Sequence, residues 1–315
     1  MIRTVTLNSG FDEVFTVSNF AFGTVGDILA HQTLPSGKGF NAARIVQMLG
    51  EKVKAYGLVG ELDYNEFSSR LQEEGISASL VTVPGRTRRN VTILNNNDGS
   101  PTAHVKGPGF ALDNDVSFRT LLKQLTDDIE PGDLVTLNGS TPKGISDNAW
   151  AECGKLVQEK GARLLIDISG EPLRLVLEQC RVLVCKPNEE EMLILSESQH
   201  DRDEAVRKAL GFMSSCNVTL PTVTLGQDGL RFVANQKLWS ALCDVNNARI
   251  LVGAGDACMA GLAVGFARNT ASLMDIACYA VATATAYVTG SDPVVFASEV
   301  EKLRSSVKVQ LLHEA

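Results

Sequence analysis

Basic residues are outnumbered in this chain, 29 Lys and Arg against 37 Asp and Glu, for a formal charge of −8. A surface of that sign does not wrap nucleic acid or lie on an anionic membrane, so any anionic ligand must be caught locally. Long apolar runs are also missing. The start, MIRTVTLNSGFDEV, has neither the apolar core nor the small-residue cleavage site of a secretory signal. The most apolar stretch, ASLMDIACYAVATATAYV, is built from Ala and Thr and carries Asp275, which reads as a buried helix of a soluble, cytoplasmic protein. The seven cysteines form no CxxC pair, and the four histidines are scattered, so no zinc or disulfide framework is readable. Cys153, Cys180, Cys216 and Cys278 lie in stretches patterned like core, where a free thiol is a small hydrophobe. Repeats of fixed period and low-complexity linkers are absent as well.

What is present is a globular composition: 315 residues, 44% hydrophobic, with 27 glycines against 10 prolines, which suits many tight strand-to-helix turns. After a short strand, RTVTLNSG, come two strand-like runs, EVFTVSNF and GDILAHQTL. The period then changes. Phe40, Ala43, Val46 and Leu49 recur at intervals of three, one face of a helix opened by a Gly-rich turn. VKAYGLVG reads as a strand and NEFSSRLQEEG as a helix, and RRNVTILNNNDGSPTAHVKG as a hairpin. From there strands DLVTLNGS, ARLLIDIS, RVLVCKPN and VTLPTVTLG alternate with helical segments, which implies parallel β-α units with both faces covered. A hairpin, GLRFVANQKLWSALC, precedes two or three closing helices from Ala254 onward. The expected architecture is one domain over 1–315, with a small β lid over about 11–34 and 86–106 inserted into a large doubly wound core.

Five segments carry chemistry. In LVGAGDACMAG, Gly253 and Gly255 let the backbone turn sharply into a helix, leaving N–H groups aimed outward with about half a positive charge behind them. Asp256 in the first turn can take a proton from a hydroxyl lying against a phosphate held there, or simply compensate the helix dipole. PSGKGFNAARIVQMLG opens another helix with Lys38 and Asn41 in its first turn, without the spacing of a Walker A loop. Arg86, Arg88 and Arg89 concentrate positive charge at the base of the lid hairpin, suited to a phosphate or to a solvated strand edge. In VCKPNEEEMLIL a buried strand ends in hard oxygen ligands that suit water-mediated Mg²⁺, or plain helix capping. VTLGQDGLRF runs a strand into a Gly turn. Ligands of open α/β sheets collect beyond the carboxyl ends of the strands, where all but the arginines fall.

Taken in order, TLNSGFD, SGKGFNAARIVQMLG, GRTRRNV, LNGSTPKGI, KPNEEE, TLGQDG and VGAGDACMAG resemble the PfkB (ribokinase-like) carbohydrate kinases, in their phosphosugar branch, along essentially the whole chain. The resemblance implies a three-layer α/β/α core with a mostly parallel sheet and a small β lid. It implies MgATP-dependent phosphorylation of a sugar phosphate, of the fructose 1-phosphate or tagatose 6-phosphate type. Asp256 then matches the catalytic base, with Gly253, Ala254 and Gly255 as the anion hole. Asp12, Gly37, Lys38, Asn41, Arg88 and Ser140 match sugar-phosphate positions. Asn188, Thr224, Gly226 and Gly229 match nucleotide positions, and Glu191 a water-mediated Mg²⁺ ligand. Asn8-Ser9-Gly10, Ser36, Leu251 and His104 depart from the family pattern, mostly around the sugar. A kinase of fructose 6-phosphate or of an unphosphorylated sugar, and a catalytically idle sensor on the same fold, are the alternatives. Phe11, Phe15, Phe20, Phe22 and Ile28 give the lid more apolar surface than a small sheet covers alone, so a lid-to-lid homodimer is expected, unless these residues rest on their own chain's core.

Overall fold

A computed structural model describes residues 1–314 except 19, 22, 24, 96–100, 197–200, 246–247, 249–251 and 271. Phe22, Leu251 and the tip of the 86–106 hairpin thus lie outside the described residues. The large sheet has ten strands. Seven of them run parallel, in the order β11 (Leu220–Thr224), β10 (Val184–Cys185), β9 (Arg163–Ile168), β8 (Leu134–Gly139), β1 (Ile2–Thr6), β4 (Val53–Gly60) and β5 (Ser77–Val83). Beyond β11 the sheet continues antiparallel through β12 (Leu230–Ala234), β13 (Lys237–Leu242) and β14 (Lys308–Glu314). The edge strands β5 and β14 are absent from the sequence reading, and β14 follows the three closing helices.

Central strands are apolar on both faces because both are covered. Adjacent residues Leu164 and Leu165 are fully buried in opposite cores. One core is closed by α3 (Val116–Asp128), α4 (Ala149–Glu159), α5 (Pro172–Gln179) and α7 (Arg202–Ser215). The other is closed by α1 (Lys38–Met48), α8 (Ala254–Ala267), α9 (Leu273–Val288) and α10 (Phe296–Arg304). The Ala- and Thr-rich stretch is therefore α9, packed within the second core. No helix among the described residues is long and apolar enough to cross a membrane.

The small sheet is β3 (Ile28–Ser36), β2 (Gly10–Val17), β6 (Arg88–Asn95) and β7 (Pro101–Val105) in that spatial order, with β2 and β6 parallel. Its root is where the expectation of uncovered aromatics changes. Phe11 is fully buried against Phe67 of α2 (Tyr64–Glu73), which also meets Phe40. Phe15 stacks on His31 with ring centroids 4.4 Å apart, and Phe20 is half-buried. Period-2 patterning tells which residues share a face, not that α2 lies under it. Among the described lid residues, the large apolar side chains that stand exposed are Val25, Ile28, Leu29 and Val105. Of the four core-patterned cysteines, Cys153 and Cys180 are buried while Cys216 and Cys278 are half-buried.

Candidate active site

The sheet changes direction of winding at β1, since the chain leaves it for β4 on one side and later fills β8 on the other. Clefts of open α/β sheets form beyond the strand ends at such a point. Two helices start there. Gly37 precedes α1 with φ of 126°, and a Cβ on it would stand 2.7 Å from the Thr6 methyl, so no other residue takes its place without movement. Gly253 precedes α8 with φ of 95°, where a Cβ would lie 2.7 Å from the Tyr287 hydroxyl. Ala254 and Gly255 then form the first turn of a 14-residue helix with free N–H groups at its mouth.

Asp256 lies one residue further into α8, 7% exposed, and accepts a hydrogen bond from Asn41 Nδ2 of α1 at 2.8 Å. Burial pushes its carboxyl up to about 7; the nearby Asp167 charge adds to this, while Lys38, Asn41 and Lys186 oppose it. A carboxylate that exchanges its proton near neutrality suits a general base. Dipole compensation alone gives an acid no such rise.

Beside it lies a charge network that spans three strand ends. Lys38 Nζ sits 2.7 Å from Asp167 Oδ1 and 2.8 Å from Glu191 Oε1, and the fully buried Lys186 holds the other Asp167 oxygen at 3.1 Å. Flanking ammonium groups keep Asp167 below the usual carboxylate range despite its complete burial. Glu191 and Asn188 brace each other, each accepting the other's backbone N–H, at 3.0 and 2.8 Å. Asp167 and Lys186 are absent from the residues expected from sequence, although a lone carboxylate in LLIDI and a lysine closing the apolar run VLVCK are signals of their own. Among the described residues no group of three or more His, Cys, Asp or Glu could hold a metal by itself. Two hard carboxylates, Asp167 and Glu191, fit Mg²⁺, which keeps several waters and takes further oxygens from substrate phosphates.

A cavity of about 700 Å³ extends from this network. Its wall unites Lys38, Asp167, Lys186, Gly255 and Asp256 with the expected nucleotide residues Asn188, Thr224, Gly226 and Gly229. Thr224 is brought to Asn188 by a short parallel bridge, and its N–H donates to Pro187 O at 3.0 Å. The far end is apolar, with Leu242, Val281, Ala284 and Val288.

A second cluster lies under the lid. Asp12 accepts from Ser36 Oγ at 2.6 Å and from Asn90 Nδ2 at 2.7 Å. Asn8 Nδ2 donates to Ser140 Oγ at 3.0 Å, and Arg88 donates to Asn8 O at 3.0 Å. The three lid arginines have separated. Arg86 bonds Asp63, and Arg89 bonds Glu13 and Glu66 while covering the Phe11 ring. Among the described residues Arg88 has no carboxylate in bonding range; its buried Nε and the buried Asn8 Oδ1 lack any partner, and desolvation holds its pKa below the ordinary value. Ser9 Oγ, Thr6 Oγ1 and Asn138 Oδ1 are orphaned nearby. Buried polar groups are ordinarily paired, so such a concentration marks a place where a polar ligand completes the bonding. His104, on the second lid strand, pairs with Thr92 at 2.9 Å. Lys38 is the one sugar-phosphate position whose charged group is engaged on the opposite side, with Asp167 and Glu191.

The model of the pfkB family of carbohydrate kinases matches residues 15–297. A 1-phosphofructokinase of Rhodobacter capsulatus is 33% identical over 264 residues, which cover 83% of this chain and 82% of that one. A tagatose-6-phosphate kinase of Staphylococcus epidermidis is 29% identical over 270 residues, 84% of this chain and 85% of that one. Among solved structures, the phosphofructokinase-2 of Escherichia coli in complex with substrates and products superposes with a TM-score of 0.86 at 25% identity, over 96% of this chain and 98% of that one. A tetrameric inhibited form of the same enzyme gives the same score. With a buried acid at the mouth of α8, a cavity lined by both helix starts, and a family model matched over most of its length, the chain belongs to the PfkB family of carbohydrate kinases, enzymes that phosphorylate sugars or sugar phosphates.

Proposed function

We propose that this kinase transfers the γ-phosphoryl group of MgATP to a hydroxyl of a sugar that already carries a phosphate, of the fructose 1-phosphate or tagatose 6-phosphate type. The observation that carries the reading is Arg88, a half-buried guanidinium with no carboxylate partner among the described residues, whose buried Nε is unpaired beside the equally unpaired Asn8 Oδ1. Arginine holds a phosphate through two parallel bonds, and the site is otherwise incomplete. Asn8 and Ser140 stand beside it, and Asp12, braced by Ser36 and Asn90, takes sugar hydroxyls. Asn188, Thr224, Gly226 and Gly229 receive the nucleotide. Asp256 removes the proton of the attacking hydroxyl, and the N–H groups of Gly253 to Gly255 hold the charge that builds on the migrating group. When bound, a divalent cation at Asp167 and Glu191 neutralises phosphate charge during transfer.

An idle sensor would need no acid poised near neutrality, and Asp256 is held there. The names of the two curated relatives support the phosphosugar branch. Val25, Ile28, Leu29 and Val105 on the lid support a homodimer formed there, and the seven free cysteines suit the reducing cytoplasm. The test is purified protein with MgATP against fructose 1-phosphate, fructose 6-phosphate, tagatose 6-phosphate and the free sugars. Highest kcat/KM on fructose 1-phosphate or tagatose 6-phosphate supports the reading. Preference for a free sugar, or no turnover with any of them, contradicts it.

A further inference from the structure

Every oxygen of the carboxylate pair at the cavity is already in use. Asp167 gives one oxygen to Lys38 at 2.7 Å and the other to Lys186 at 3.1 Å. Glu191 Oε1 accepts from Lys38 at 2.8 Å and from the Ser169 hydroxyl, and Oε2 accepts from the Asn188 N–H at 3.0 Å. Two carboxylates thus face two ammonium groups, and the cluster is neutral. A divalent cation must touch those oxygens, or order water on them, and it repels any ammonium left in place through a poorly screening interior. One lysine has to yield.

The two lysines differ in their freedom to do so. The Lys186 side chain is 2% exposed, with its stem enclosed in the protein. That of Lys38 is 28% exposed, starts from the first residue of α1 and lines the open cavity. Its four-carbon stem can turn without moving the helix. We infer that the Lys38 ammonium and the divalent cation are alternative occupants of the Asp167–Glu191 pair, so that the metal is accepted as Lys38 swings out into the cavity. Lys38 then presents its charge to whatever anion shares that space. Metal and anion favour each other's binding, because each removes the other's cost: the cation frees the lysine, and the anion gives it a new partner. The identity of the cation rests on the kinase reading; the exchange rests on the geometry of these four side chains.

The test uses Mn²⁺ alone as a paramagnetic probe, titrated by electron paramagnetic resonance into the nucleotide-free enzyme. Lys38→Gln should bind Mn²⁺ at least ~10-fold more tightly than the wild type, because a competing charge is gone, and adding Asp167→Asn should abolish the gain. Equal or weaker binding by Lys38→Gln, with folding verified by circular dichroism, overturns the exchange, as does a gain that survives Asp167→Asn. A second measurement needs no variant. Trace acetylation of the wild type, read by mass spectrometry, should label Lys38 faster as Mn²⁺ is added, while unchanged or slower labelling overturns the inference. The wild type's own phosphoryl transfer, assayed on the same preparation, separates failure of the exchange from failure of the kinase reading.

Discussion

The two ends of the large sheet treat charge in opposite ways. At the amino ends of the strands, the buried Arg3 is matched on every side. Its Nε donates to Asp133 at 2.7 Å and its Nη1 to the Tyr56 hydroxyl at 2.7 Å, while Asp128, which accepts from Tyr56 at 2.7 Å, also pairs with Lys54. At the carboxyl ends, Arg88, Asn8, Ser9, Thr6 and Asn138 keep buried atoms without partners, and Asp256 is buried with a raised pKa. A matched network holds strands together, whereas an unmatched one is a site waiting for a ligand. The same contrast recurs within the lid, where Arg89 is matched by Glu13 and Glu66 and its neighbour Arg88 is not.

The largest effect expected is on stability. Arg3→Met leaves the buried Asp133 only the part-exposed N-terminal ammonium at 2.7 Å as a charged partner and should lower the free energy of unfolding by about 3 kcal/mol, the lower end of what breaking a buried pair costs, with turnover of the remaining folded enzyme unchanged. Denaturant unfolding alongside steady-state assays checks both halves. Lost turnover at intact stability would mean that the amino end is not purely structural.

At the other end, Asp256→Asn should cut kcat by at least ~10²-fold with ATP binding and fold retained, the scale of losing a general base. Near-wild-type turnover would reduce Asp256 to a helix-dipole residue, whose loss costs only about 1 kcal/mol or less.

The acid-base behaviour of Asp256 sharpens the comparison further. The plot of log kcat/KM against pH should rise to a plateau with a midpoint near 7, because the base works only when ionised. Asn41→Ala removes a bond that favours the ionised form and should move that midpoint upward. The sign for stability is the reverse. A carboxyl raised from 3.8 to about 7 binds its proton more tightly folded than unfolded, so its contribution is full below about 3.8 and is lost as pH rises through 7. Wild type should therefore lose stability relative to Asp256→Asn as pH rises from about 3.8 to about 7; parallel unfolding curves at all pH values would contradict the burial argument.

Much of this is legible in the sequence itself. Gly253 to Asp256 and Gly37 to Asn41 are contiguous, so their shared function as helix starts shows in the local sequence. Asp167 and Lys186 are different, since one sits near the end of β9 and the other just past β10, and they acquire meaning only when those strands pair and Lys38 arrives from α1. The arginine cluster is legible as a concentration of charge, but which member is unpaired depends on Asp63, Glu13 and Glu66, which the fold alone brings near. Phe11 misleads for the same reason, because its alternation with Asp12 gives a two-faced strand without showing that α2 covers one face. The edge strand β14 has a partner, β13, separated from it by three helices, and no local pattern announces such a pairing.

The central claim is that Arg88 is left unmatched in order to read a phosphate already on the sugar. Its most direct test is kcat/KM for the phosphorylated sugar and for its unphosphorylated counterpart in wild type, Arg88→Ala and Arg89→Ala. Arg88→Ala should lose about 1.5–3 kcal/mol of binding to the phosphorylated substrate, roughly 10- to 150-fold in KM, with KM for ATP unmoved and the free sugar little affected. Arg89→Ala should leave that discrimination intact. An equal loss on both sugars with Arg88→Ala, or the selective loss appearing with Arg89→Ala instead, would contradict the account.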